Sequence, residues 1–251
     1  MSKATTKPNI GIFSLTSCEG CGFAVIDLHE KFLELKDKVN IRQFRLFEED
    51  IHSDNEKFDI VFIEGSPLTT KNIELVRDLR TRSKIVIAFG SCAHMGGIYH
   101  LKQYHDKEKI NNFVYGNTKG IENFDVLPID KIIKVDYVLP GCPISAPEFL
   151  SMVNQLVLGK KPTVYARPVC RECQLNGSEC LLQKGEICLG PITLGGCDAV
   201  CLKSGQGCWG CRGLVEDAEV ANLVKQLKKN HTEKEIIKVF EVFGIKEMMN
   251  K

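Results

Sequence analysis

The first part of this chain alternates between short apolar runs and stripes of apolar residues at helical spacing. Residues 9–15, Asn-Ile-Gly-Ile-Phe-Ser-Leu, predict a buried strand. Residues 41–47 alternate and predict a second strand. Residues 58–63 are a near-continuous apolar run, bounded by Gly65 and Pro67, and predict a third. A fourth is expected over 84–89, ending at Gly90, and a short fifth over 135–139, ending at Pro140 and Gly141. Between these runs the period changes. Residues 22–36 carry Phe23, Ile26, Leu28, Phe32 and Leu35 among charges, which predicts a helix. Residues 72–82 place Ile73, Val76 and Leu79 on one side of another, and 147–158 reads as a third with Pro147 in its first turn. Strands alternating with helices predict a parallel sheet covered on both faces. Residues 97–134 keep no steady period and read as an insertion.

At Pro168 the character changes. The 42 residues from Cys170 to Cys211 hold eight Cys and eight Gly, with only scattered Leu, Ile and Val. Such a segment cannot bury enough apolar surface to fold alone, so metal ligation has to supply much of its folding free energy. Its glycines let the backbone pass close to a bulky inorganic core. After Arg212 helical spacing returns. Ala221, Val224 and Leu227 form one stripe, and Thr232 with Glu235 fits a capping box ahead of Ile236, Ile237, Phe240 and Phe243. Three units are expected: an α/β domain over 1–160, a Cys/Gly-rich domain over 161–215, and a helical tail over 216–251.

Composition narrows the classes. Apolar residues make up 43% of the 251, enough for a real core. With 33 basic and 32 acidic side chains the net charge is +1, so neither nucleic acid nor an anionic membrane surface is an expected partner. No run of about 18 apolar residues occurs, so no membrane span is expected. Residues 1–9 are polar, without an apolar export segment or paired arginines, and a cytoplasmic location is expected.

That location changes how the twelve cysteines read, because cytosolic Cys clusters bind metal more often than they form disulfides. Four of them, Cys18, Cys21, Cys92 and Cys142, fall just beyond the carboxyl ends of predicted strands. Open α/β sheets bind their ligands along that edge, so these four, distant in sequence, converge. Four thiolates are the usual complement of one 4Fe–4S cluster. Cys18 and Cys21 alone would fit a thioredoxin-like redox pair, but that leaves Cys92 and Cys142 idle. The same turn holds flavin phosphate in flavodoxin-like frames, and the Cys pair argues against flavin here. The other eight form two consecutive quartets, Cys170-x2-Cys173-x6-Cys180-x7-Cys188 and Cys197-x3-Cys201-x6-Cys208-x2-Cys211. Spacing alone leaves zinc and iron–sulfur both open here, and leaves open which cysteines share a cluster. His94 lies near Cys92, and Glu19 stands between the first two cysteines; a satisfied histidine and a solvated carboxylate are their ordinary roles.

Three motifs together carry a family resemblance: Thr16-Ser-Cys-Glu-Gly-Cys21, Gly90-Ser-Cys-Ala-His-Met-Gly-Gly97 and Pro140-Gly-Cys-Pro143. They resemble the small subunit of nickel–iron hydrogenases, over nearly the whole chain from Ile10 to Gly213. The resemblance implies a flavodoxin-like doubly wound parallel sheet followed by a small iron–sulfur domain. It implies three 4Fe–4S clusters: a proximal one on Cys18, Cys21, Cys92 and Cys142, a medial one on Cys197, Cys201, Cys208 and Cys211, and a distal one on Cys170, Cys173, Cys180 and Cys188. Two positions depart from the membrane-linked members. Cys170 stands where those have a His, and Cys201 is available as a fourth medial ligand. The all-Cys pattern is similar to the cytoplasmic multi-subunit enzymes, above all the delta subunit of sulfhydrogenases, with Pro168-Val-Cys-Arg-Glu-Cys-Gln-Leu-Asn-Gly177 and Cys188-Leu-Gly-Pro191 in support. The implied activity is that of an oxidoreductase subunit. It would relay electrons between the nickel–iron centre of a large-subunit partner and flavin/NAD(P)-binding and iron–sulfur subunits. The cluster-bearing quinone-reductase subunit of respiratory complex I shares the Gly-Ser-Cys-Ala and Pro-Gly-Cys-Pro signatures. It has adjacent Cys-Cys where this chain has C-x-x-C, and it lacks the eight-Cys segment.

Overall fold

The computed structural model describes residues 7–47, 56–122 and 124–248. Its centre is a five-stranded sheet of β1 (Asn9–Ser14), β2 (Asn40–Phe44), β3 (Phe58–Glu64), β4 (Ser83–Phe89) and β5 (Tyr137–Leu139). The order is β2-β1-β3-β4-β5 and every pairing is parallel. This is the flavodoxin-like winding, whose switch point lies between β1 and β3. Ile10 pairs with Ile60, Ile60 with Ile85, and Ile87 with Tyr137.

Side chains alternate across the sheet with period 2. Ile10, Ile12, Phe62, Ile87 and Phe89 face one layer, where they meet α1 (Gly20–Ile26), α2 (Glu30–Lys36) and α6 (Ala146–Val157) through Val25, Phe32, Leu35, Phe149 and Val153. Phe62, Phe89 and Phe149 form a trio with ring centroids 5.0–5.8 Å apart. Val61, Ile63, Val86 and Ala88 face the other layer, against Val76 and Leu79 of α3 (Thr70–Arg82). Both faces are covered, which is why β3 and β4 read as continuous apolar runs.

The helix expected over 22–36 is two helices. His29 takes a positive φ of 49°, and the Leu28 and His29 amides bond back three residues, to Val25 and Ile26, so the first helix tightens and stops. No Gly or Pro marks this break. The second strand ends at Phe44, and 45–47 form a turn. Most of the expected insertion is helical: α4 (Gly90–Met95) leads into a 3-10 helix, Gly97–Tyr104, then α5 (Lys107–Tyr115) and a short 3-10 turn, Ile129–Lys131.

The Cys-rich segment contains only α7 (Val169–Leu175) and α8 (Val200–Lys203). Beyond it come α9 (Val220–Leu227), α10 (Glu233–Val242) and α11 (Ile245–Met248). Thr232 and Glu235 form the capping box that starts α10. Leu223, Leu227, Ile236, Phe240 and Ile245 bury themselves against Leu189 and Ile192 of the Cys-rich segment and Met95 of α4. The tail is therefore packed onto both preceding regions.

Candidate metal centres

The first four cysteines meet at the carboxyl edge of the sheet. Cys18 and Cys21 lie at the start of α1, Cys92 in α4 after β4, and Cys142 in the turn after β5. Glycines make room for the sulfurs. A Cβ on Gly90 would stand 2.5 Å from Cys21 Sγ, and one on Gly97 would stand 2.6 Å from Cys92 Sγ. Both glycines also have positive φ, 85° and 58°. Burial pushes the Cys92 thiol up to about 12, helped by the neighbouring Cys142 and Cys18 and by Glu64. Cys21 and Cys142 are pushed up by burial as well, each with another of the four as a secondary cause. Such thiols ionise readily only when a cation compensates.

Glu64, which no sequence motif marks, also lies against the first four cysteines. It ends β3 and is 2% exposed. Its carboxylate accepts hydrogen bonds from the Cys21 and Gly22 amides, at 3.1 and 3.2 Å. A carboxylate closing a continuous apolar strand just before Gly65 was the available signal. Glu19 has φ 60° and pairs with Arg45 at 3.4 Å. His94 lines a cavity shared with His100, Gln103 and Asp130.

Cys197, Cys201, Cys208 and Cys211 together line one mostly apolar cavity of about 380 Å³, lined also by Val169, Leu202, Trp209 and Arg212. Burial pushes Cys211 up to about 12, with Cys197, Cys142 and Cys201 as charged neighbours. The remaining four also converge. Burial pushes Cys170 up to about 12, and Cys188, Cys173 and Cys180 add to it. Gly190 sits between two of these sulfurs: a Cβ there would lie 3.3 Å from Cys170 Sγ and 3.4 Å from Cys188 Sγ. Cys18, Cys142 and Cys180 are exposed, so the first and third groups each reach the surface.

Adjacent groups touch through their ligands. Cys142 shares the cavity of the second group. The Cys208 N–H donates to Cys188 Sγ at 3.3 Å. Ser91, beside Cys92, donates its hydroxyl to the Cys211 carbonyl, and its N–H to Gly141 O at 2.8 Å. Among the described residues no three His, Cys, Asp or Glu side chains close on a point as for a single metal ion. The sulfurs of the second group line a shared cavity, and an all-thiolate set of four fits a cluster of iron and sulfide.

Known proteins resemble this chain in both sequence and fold. The family model described as NADH ubiquinone oxidoreductase, 20 Kd subunit, matches residues 18–156, which include the first four cysteines. The Sulfhydrogenase 2 subunit delta of Pyrococcus furiosus is 35% identical over 237 residues, covering 94% of this chain and 98% of the relative. A subunit of the F420-non-reducing hydrogenase of Methanocaldococcus jannaschii is 31% identical over 243 residues, with 84% of each chain covered. In the solved NAD+-reducing [NiFe]-hydrogenase, a chain 28% identical superposes with a TM-score of 0.56, covering 63% of this chain and 95% of that one. The actinobacterial-type NiFe-hydrogenase of Ralstonia eutropha shares the fold at 14% identity and a TM-score of 0.63, over 99% of this chain and 92% of that one. The chain belongs to the nickel–iron hydrogenase small subunits, as a delta-type member of the wider 20 Kd subunit family. It is thus a subunit of an oxidoreductase whose nickel–iron site stands on another chain.

Proposed function

We propose that this subunit is an all-cysteine, three-cluster electron relay. Cys18, Cys21, Cys92 and Cys142 would hold a proximal 4Fe–4S cluster, Cys197, Cys201, Cys208 and Cys211 a medial one, and Cys170, Cys173, Cys180 and Cys188 a distal one. Bound there, the clusters would supply reversible one-electron chemistry. The observation that carries the reading is the contiguity of the three thiol groups: Cys142 lines the cavity of the second group, and the Cys208 amide of that group donates to Cys188 Sγ of the third. The Cys208 amide would neutralise part of the thiolate charge at its junction. The buried Leu189 and Ile192 and the packed tail keep water from the middle of the row.

The two exposed ends support an assignment of the partners. The large subunit would cover Cys18 and Cys142, bringing its nickel–iron centre to the proximal group. Beside that end lies a cavity of about 360 Å³ lined by Thr16, Tyr99, Ile110, Val114 and Tyr115. It runs onto α5, which buries none of its residues and leaves Phe113 92% exposed. Apolar surface of this kind marks an interaction site, and its continuity with the proximal end gives it to the large subunit. The distal end, at exposed Cys180, would face a flavin/NAD(P)-binding or iron–sulfur subunit. One solved relative is an NAD+-reducing enzyme. Among the described residues no helix is long and apolar enough to cross a membrane. We place the complex in the cytoplasm and divide the chain at 1–160, 161–215 and 216–251.

Replacing Cys201 with Ser in the anaerobically purified complex tests the partition. The medial spectrum should change while the proximal signal persists. Loss of the proximal signal with an intact medial one would refute it.

A further inference from the structure

Arg212 follows the last cysteine and is the cation lining the second thiol cavity. It is 1% exposed. Its Nε donates to Gly195 O at 2.6 Å and one terminal nitrogen to Pro140 O at 2.7 Å. The other terminal nitrogen donates to both carboxylate oxygens of Glu148, at 3.0 and 2.8 Å. Gly196 leaves space for it, since a Cβ there would stand 2.5 Å from that nitrogen. Every hydrogen bond thus ties the second thiol loop to itself, to the turn that carries Cys142 or to α6.

We propose that Arg212, with its charge balanced by Glu148, sets the reduction potential of the medial site and holds that site in register with the proximal one. This rests on the reading of the four surrounding cysteines as cluster ligands. The step concerned moves one electron from the first site to the second, oxidising the former and reducing the latter, with no bond made or broken. A buried positive charge beside the second site favours its reduced form, and a buried carboxylate opposes that. With the guanidinium buried, the pair is screened less by salt than a surface pair. Arg212 contacts no reacting atom and is a positioning residue.

The test is a redox titration followed by electron paramagnetic resonance on the anaerobically purified complex. Glu148→Gln keeps the shape and removes the negative charge. It should move the medial signal to a more positive potential, with iron content and the proximal and distal signals unchanged. Arg212→Gln should move the medial signal the other way, or lose it if the loop no longer closes. An unshifted medial potential in Glu148→Gln at full iron content would overturn the proposal, as would an equal shift of all three signals. Absence of iron from the wild-type complex would bring down the relay reading itself, and the proposal with it.

Discussion

Arg212 donates to both carboxylate oxygens of Glu148 across 64 residues of sequence, at 3.0 and 2.8 Å, with the guanidinium wholly buried. The pair joins the Cys-rich segment to α6 of the sheet domain. Breaking a buried pair from one side leaves an uncompensated charge, at a cost of about 3–5 kcal/mol. Arg212→Met should therefore lower the denaturation midpoint sharply. The double variant with Glu148→Met should recover much of the loss. Chemical denaturation of the three proteins checks this, and equal loss in single and double variants would contradict it.

Gly97 shows how little room there is around Cys92, a ligand of the proposed proximal site. A Cβ there would press on Cys92 Sγ at 2.6 Å, and at a φ of 58° a side chain is strained as well. Gly97→Ala should perturb or empty the proximal site and spare the other two. Iron content about four atoms per chain below wild type is the expected reading.

Phe113 should matter for assembly and not for folding. Phe113→Asp is expected to leave the melting temperature and iron content of the chain unchanged and to weaken its co-purification with the large subunit. An unaffected complex would move the interface elsewhere.

Acid sensitivity should come in part from Asp136. Burial acts to raise its carboxyl, but hydrogen bonds from Arg80, at 2.5 Å, and from the Val86 amide, at 2.9 Å, outweigh it and hold the group below its ordinary value. A carboxyl depressed in the folded state adds stability above its unfolded value, about 3.9, and loses it as pH falls further. Asp136→Asn should flatten the stability profile below roughly pH 4 and lower stability at neutral pH. Unfolding curves across that range measure it.

Much of the sheet was legible because its strands are buried on both faces and their apolar runs end at turn residues such as Gly65 and Gly90. Period 3.6 located α3 and α6 for the same reason. The break at His29 was not legible, since it rests on one residue's backbone and carries no Gly or Pro. The convergence of Cys18, Cys21, Cys92 and Cys142 followed from strand ends alone. The Cys-rich segment has no period, so spacing could not group its eight thiols; Gly190 between two sulfurs and the shared cavity around Cys208 are facts of three dimensions. Arg212 and Glu64 escaped notice because a charged residue announces its partner only after folding. The sulfhydrogenase and F420-non-reducing hydrogenase relatives extend the resemblance through that second segment, beyond the residues of the shared family model.

The relay itself is tested most directly by counting iron and acid-labile sulfide on the anaerobically purified chain. Three complete clusters predict about twelve irons and as many sulfides per chain, with three separable signals on reduction. A colourless protein holding one or two zinc ions and no sulfide would contradict the account.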